Sequence, residues 1–324
     1  MAKSGSERVL NKLKLSIEQG NYYEAHQMYR TLNFRYLAQK RYTELIDLLY
    51  EGAVLFMTHG QHNSGSDLAV LFVEALNKSK FKVTDVFIDK LGYLHTLMKV
   101  DSPERINFLT SALQWSSNSG DEHYPRGHPR LHQLVAITLW KEKNYAQSKY
   151  HFIHSTDGDG CGTMLVEYHC TKGYPNEVDL FIAQAVFQYL CLKNKATATI
   201  AFHAYAQKHP KVNPGPPFLL PLLNFLWFLL PAIDNGKLPV FTVLCEQYRI
   251  ALNRDPSYLK YLDKIGQLFF GMPPPPPKQQ GLFGNILQSL FSSLEDDDMS
   301  SEENMALPGP SKVTSETIQY EELD

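Results

Sequence analysis

Cysteine is scarce in this chain of 324 residues: there are four, at 161, 170, 191 and 245, and none forms a C-x-x-C pair. This spacing excludes a dense disulfide framework and a thiolate zinc ribbon. The cysteines read as free thiols in a reducing compartment. Long apolar runs are missing too. The run 218–233 has 16 residues with Asn224 inside it, whereas a bilayer core takes about 20. A buried helix is expected there, and no stable membrane insertion. The N-terminal stretch MAKSGSERVLNKLKLSIEQG has no apolar core of a signal peptide, so the cytosol is the expected location. G-x-x-x-x-G-K-[ST], G-x-S-x-G and H-E-x-x-H are absent, positions 128–132 reading His-Pro-Arg-Leu-His. No catalytic, cofactor-binding or metal-binding residue is nominated, and no enzyme is expected. A strong charge of one sign is also lacking. The net −3 averages an acidic end, ten acidic residues and one lysine over 295–324, with a body at +6. Six charges over so long a body do not make a nucleic-acid surface.

The chain does hold a repeated helical pattern. In GNYYEAHQMYRTLNFRY (20–36), Tyr22, Ala25, Tyr29, Leu32 and Tyr36 recur every three or four residues and share one helix face. Asn21 with Glu24 three residues on reads as a capping box. The opening returns as Lys40-Arg41-Tyr42 and as Lys143-Asn144-Tyr145. Tyr22 and Tyr42 are 20 residues apart, one helix and one turn, which is the period of stacked helical hairpins. Helices are expected at 6–18, 21–38, 41–58, 64–79, 83–98 and 102–118, with Ser64 or Ser66 capping the fourth and Pro103 in a first turn. After a surface loop at 118–127, two more in 128–155 break at 143–144. Others follow at 163–171, 177–193 and 195–208, the second burying Val178, Ile182, Ala185 and Tyr189.

Prolines at 210, 214, 216, 217 and 221 interrupt this rhythm. They predict an irregular or hairpin loop ahead of the apolar run, before closing helices at 238–253 and 256–270. Pro273 to Pro277 form a stiff linker. Leu282, Phe283, Ile286, Leu287, Leu290, Phe291 and Leu294 then make one apolar stripe, followed by an acidic tail expected to be disordered. That stripe lacks the basic polar face of a membrane-surface helix, so docking on protein is expected. The reading is all-α: a right-handed solenoid of tetratricopeptide-like hairpins, with a small β-hairpin near 209–220 as one form of the loop. The expected divisions are 1–156, 157–271, 272–294 and 295–324.

Three chemistries suggested by the residues each have a plainer reading. In 157–162, DGDGCG, Asp157 and Asp159 fit positions one and three of a calcium loop, but position five is Cys161 and position twelve is Tyr168. A glycine-rich turn is preferred. Cys161 near a helix start would favour a thiolate, yet a nucleophile also needs a base beside it. The histidine pairs 59/62, 128/132 and 151/154 have no further ligand at zinc spacing.

The strings GNYYEAHQMYRTLNFRY, SGSDLAVLFVEAL, HPRLHQLVAITLWKEKNYAQSKYHFIHS, FIAQAVFQYLCLKN, GKLPVFTVLCEQY and YLDKIGQLFFG resemble the animal members of one family. It is the α-solenoid subunit of the guided-entry, or transmembrane-domain recognition, complex, which hands tail-anchored membrane proteins to their targeting ATPase. The resemblance covers nearly all of 6–294 and implies a scaffold without catalysis. It implies ATPase binding through basic residues of the first helix, here Arg8 and Lys12, and tuning of hydrolysis by an acidic residue, here Asp67. Lys12 stands where arginine also occurs, so charge is kept but a bidentate contact is not.

The resemblance also implies that the C-terminal half, with its hairpin near 209–220, clasps a second partner. In fungi this is a ubiquitin-like adaptor; in animals it is the nuclear-localisation segment of a Scythe-type BAG-domain scaffold, which is thereby kept in the cytosol. Phe218, Phe225, Trp227 and Phe228 are the aromatics expected to meet that partner, with the acidic tail as a rival site. The competing classes are a generic helical-repeat adaptor of proteasome-lid or vesicle-coat type and a thiol enzyme around Cys161.

Overall fold

The fold follows from how each helix stops. In this computed structural model, which describes residues 5–119, 122–213 and 215–273, one turn recurs five times. The helix ends in a residue with φ between 56° and 74°, at Gly20, Lys40, Gly60, Lys143 and Lys193. The following residue sends its backbone N–H back five positions: Asn21 to Ser16, Arg41 to Tyr36, Gln61 to Phe56, Asn144 to Leu139 and Asn194 to Tyr189, at 2.8–3.0 Å. The left-handed residue bonds three positions back, completing the Schellman geometry that satisfies stranded end carbonyls. Each turn is followed directly by the next helix, so reversal costs few residues. The turns at 60 and 193, at helix breaks the sequence reading placed but outside the repeated motif, lack the Tyr two residues on that marks the other three.

The helices are α1 (Gly5–Glu18), α2 (Tyr22–Ala38), α3 (Tyr42–Thr58), α4 (His62–Ser79), α5 (Asp85–Leu97), α6 (Pro103–Ser116), α7 (Pro129–Lys141) and α8 (Tyr145–Ile153). They continue as α9 (Gly158–Lys172), α10 (Val178–Cys191), α11 (Lys195–Lys208), α12 (Pro221–Asn235), α13 (Leu238–Gln247), α14 (Arg249–Leu252) and α15 (Ser257–Phe269). Sequence neighbours α1 and α2, α2 and α3, α3 and α4, and α7 and α8 pack together, as do α4 with α6 and α5 with α7. This is the α-solenoid expected. Its only strands among the described residues are the two-residue pieces Asn118–Ser119 and Glu122–His123.

Two apolar clusters hold it together. One runs from Leu13 to Leu139 and the other from Ala136 to Phe270, so α7 serves both. Ala25, Tyr29, Leu32 and Tyr36 are buried as the α2 stripe requires, and Val178, Ile182, Ala185 and Tyr189 are buried on α10. Pro103 opens α6 behind the capping Ser102. The described residues form one compact unit; the expectations for the proline linker beyond Pro273, the stripe and the acidic tail lie outside them.

Several expectations are corrected. Asn21 does not cap α2 through its side chain, whose amide instead donates to Gln19. Its backbone is already committed to the turn. α4 starts at His62, so Ser64 and Ser66 lie inside the helix, Ser66 buried. α9 starts five residues before 163. Asp157 caps it by accepting from Gly160 N–H at 2.8 Å, and Gly158 and Gly162 lie on the face that α11 approaches closely. A Cβ on Gly158 would lie 2.5 Å from the Thr197 carbonyl oxygen, and one on Gly162 would lie 2.6 Å from that of Ala201.

No hairpin forms among the described residues of 209–220. Two asparagine side chains shape the loop instead. Asn213 Oδ1 accepts from Leu219 N–H and its amide donates to Pro217 O, while Asn224 both accepts from Phe218 N–H (2.8 Å) and donates to Phe218 O (2.7 Å). Prolines lack the N–H groups that a ladder needs, so side-chain amides take over the bonding.

Candidate protein-interaction site

The first candidate surface lies on the opening helices. Leu13 and Ser16 of α1 are buried, which leaves Arg8 and Lys12, one turn apart, exposed. Neither forms an ion pair with another described residue. On α2, Tyr23 (80% exposed) and Phe34 (68%) flank Arg30, at spacings of seven and four residues on one outward stripe. Aromatic and arginine side chains together are the composition of interface centres.

Asp67 joins this surface from α4. It is the sixth residue of that helix. Its Oδ2 accepts from His26 Nε2 of α2 at 2.7 Å, and its Oδ1 lies 3.8 Å from Arg30 Nη1. The reading of sequence missed His26 and Arg30. Their one-turn spacing on α2 was legible, but a partner 41 residues away was not.

The second surface lies between α12 and α13. Here the aromatic expectation divides. Phe225 is fully buried and Phe218 nearly so, packed on Phe187 and Phe202 respectively. Neither offers a face to a partner, because residues 218–233 fill the second core. Trp227 is half-buried against His203 and Phe218. Phe228 alone is exposed, at 51%. It lines an apolar groove of about 620 Å³ with Pro231, Val240, Val243, Leu244 and Tyr248. Val240 and Val243 are also exposed. Among the described residues no helix is long and apolar enough to cross a membrane.

Chemistry fares poorly elsewhere. Cys161 is buried, and burial pushes its thiol up to about 12, the opposite of an activated nucleophile. Asp157 is committed to Gly160 and Gln133, and Asp159 to Lys208, so the calcium-loop pattern is a helix start.

The nearest approach to a metal cluster among the described residues is His169, Cys170 and His209. It has the directionality of a hydrogen-bond chain. Lys211 N–H donates to His209 Nδ1 (3.1 Å), which puts the proton on His209 Nε2. That nitrogen donates to His169 Nδ1 (2.9 Å), and His169 Nε2 donates to Tyr174 O (3.0 Å). A metal on His209 Nε2 would need a proton on Nδ1, where the Lys211 N–H already points. A second histidine pair, His132 and His151, is buried at 2.9 Å, with His132 Nε2 donating to Arg126 O.

Charged and aromatic side chains exposed on regular helices make up these two surfaces, the composition of a protein-interaction site. Residues 39–294 match the family model described as Golgi to ER traffic protein 4. The chain belongs to that family. It is 57% identical over 297 residues to the Golgi to ER traffic protein 4 homolog of Oryzias latipes, covering 91% of both chains. It is 56% identical to the Homo sapiens homolog, covering 91% of this chain and 90% of the relative. Among solved structures, the crystal structure of C. therm. Get4 matches with a TM-score of 0.76 at 27% identity, over 89% of this chain and 96% of that one. The family's members and their fold therefore agree with the solenoid described above.

Proposed function

We propose that this chain is a non-enzymatic scaffold of the cytosolic complex that delivers tail-anchored membrane proteins to their targeting ATPase for insertion at the endoplasmic reticulum. Membership of the family across 39–294 carries this reading. Arg8 and Lys12 supply the ATPase contact, and Asp67 tunes its hydrolysis. The C-terminal half, through the loop before α12 and the groove at Phe228, holds the Scythe-type BAG-domain scaffold, covers its nuclear-localisation segment and so retains it in the cytosol; the corresponding fungal partner is a ubiquitin-like adaptor. Two features support two separate partners: an exposed cationic helix at one end of the solenoid and an apolar groove in the other core cluster.

The test is affinity purification from cytosol followed by mass spectrometry. The wild-type chain is expected to carry both the ATPase and the BAG-domain scaffold. Arg8→Glu with Lys12→Glu should lose the ATPase alone, since each charge-assisted contact is worth roughly 1.5–3 kcal/mol. A Gly-Ser replacement of 210–217 should lose the scaffold alone, and the freed scaffold should move to the nucleus. Recovery of proteasome-lid or vesicle-coat subunits instead would replace this reading with a generic adaptor. Scaffold binding that disappears on deleting 295–324 and fades steeply with salt would move that site to the acidic tail.

A further inference from the structure

We propose that His26 is a positioning residue for Asp67, fixing one carboxylate oxygen so that the other is presented to a cation of the ATPase; this rests on the reading of Asp67 as the residue that tunes hydrolysis. The two oxygens are held very unequally. Oδ2 is bound at 2.7 Å by His26 Nε2, from a side chain only 12% exposed. Oδ1 faces Arg30 across 3.8 Å, beyond hydrogen-bond range, and Asp67 and Arg30 are 33% and 46% exposed.

His26 is itself fixed. Its ring stands edge-on to Phe56 at 6.1 Å, and Phe56 is fully buried among Tyr22 and Tyr29. The donor is thus anchored in the first core cluster, and the carboxylate cannot rotate without giving up a charge-assisted bond. A side chain aimed in advance loses little rotamer freedom on meeting its partner. Arg30 is the weakly held counter-charge. A cation on the ATPase can take its place at Oδ1 without disturbing His26, while Tyr23 and Phe34 flank the exchange on the α2 stripe.

The experiment measures ATP turnover by the targeting ATPase as the full-length subunit is titrated, separating apparent affinity from turnover at saturation. Asp67→Asn should change saturating turnover. His26→Ala should change it in the same direction by at least half as much on a logarithmic scale, with apparent affinity within twofold of wild type. His26→Gln, whose amide nitrogen replaces the ring Nε2, should return turnover to within twofold of wild type. Combining His26→Ala with Asp67→Asn should equal Asp67→Asn alone. If His26→Ala does not fold, His26→Leu keeps bulk against Phe56, removes the donor and decides the same question. Wild-type turnover from a folded donor-less variant, with Asp67→Asn still altered, would overturn the positioning role and leave the assignment of Asp67 standing. Multiplicative effects in the combined variant would do the same. No change with Asp67→Asn would remove both.

Discussion

The two core clusters are built by different rules. From α1 to α4 the solenoid is made by local repetition: the same left-handed turn at 20, 40 and 60 restarts a helix every 20 residues. The second cluster keeps that turn only at 143 and 193. Elsewhere it relies on close approach and bulk: α9 lies on α11 through Gly158, Gly162, Ala201 and Ala204, and α12 inserts Leu222, Phe225, Leu226 and Leu229 into the interior. Regularity set by turns can be read along the chain. Regularity set by contact between distant helices cannot.

The largest effects should come from emptying each core. Phe56→Ala and Phe187→Ala remove fully buried rings, one from each cluster, and each should cost about 3–5 kcal/mol in denaturant unfolding. Hydrogen exchange should then speed most over α2–α4 in the first variant and over α10–α12 in the second. Uniform acceleration along the chain in both would merge the two clusters into one cooperative unit.

Adding one methyl group sharpens the contrast. Gly162→Ala meets the Ala201 carbonyl at 2.6 Å, backbone that cannot move aside, and should cost about 3 kcal/mol. Gly52→Ala in the first cluster meets the Tyr29 ring at a similar 2.6 Å. That ring can shift, so about 1 kcal/mol is expected. Equal costs by urea titration would remove the distinction between backbone and side-chain packing.

Acid should probe the histidine chain of the second cluster. Burial, with His169 beside it, lowers His209 from the ordinary 6.5 to about 4. The unfolded chain therefore binds this proton first, and stability falls as pH drops from about 6.5 to about 4, by up to about 1.4 kcal/mol per pH unit for this group. Above pH 6.5 its contribution is complete. His209→Gln should flatten that part of the urea-midpoint profile, leaving the slope from His95 and His132, which burial lowers to about 3, and from His151, which burial lowers well below its ordinary value. An unchanged profile would show that the chain does not hold His209 neutral.

The smallest effect lies in the shared turn. Lys193 adopts φ 58°, a conformation that costs a side-chain-bearing residue about 1–2 kcal/mol and glycine little. Lys193→Gly should stabilise by about 0.5 kcal/mol after the greater freedom of unfolded glycine is subtracted. A loss measured by thermal melting would mean that the lysine side chain contributes more than its backbone strain costs.

Much of the architecture was legible because helix periodicity and turn chemistry are short-range. The faces of α2 and α10, the break at 143–144 and the proline start of α6 needed no tertiary information. Errors came where a distant element changed the meaning of a residue. Glycines 158, 160 and 162 read as a loop because glycine disfavours isolated helices; close approach of helix α11 makes the small size of Gly158 and Gly162 an advantage, and Gly160 sits against Asp157 and Phe152. Phe225 and Phe218 read as interface residues because bulk alone does not tell a core from a contact surface. Exposed Arg8 and Lys12 were visible as a charged face, while the clamp on Asp67 was not.

Composition, helix period and the repeated turn signature determined by themselves that this chain is an all-helical solenoid lacking the common catalytic motifs, because each of those signals acts within a few residues. Only the tertiary structure decided which aromatics of 218–233 remain outside, that Asp67 is held by His26, and that His209 donates a hydrogen bond to His169. Those outcomes depend on side chains brought together across 40 residues or on the area left after helices pack, and neither quantity is written in local sequence.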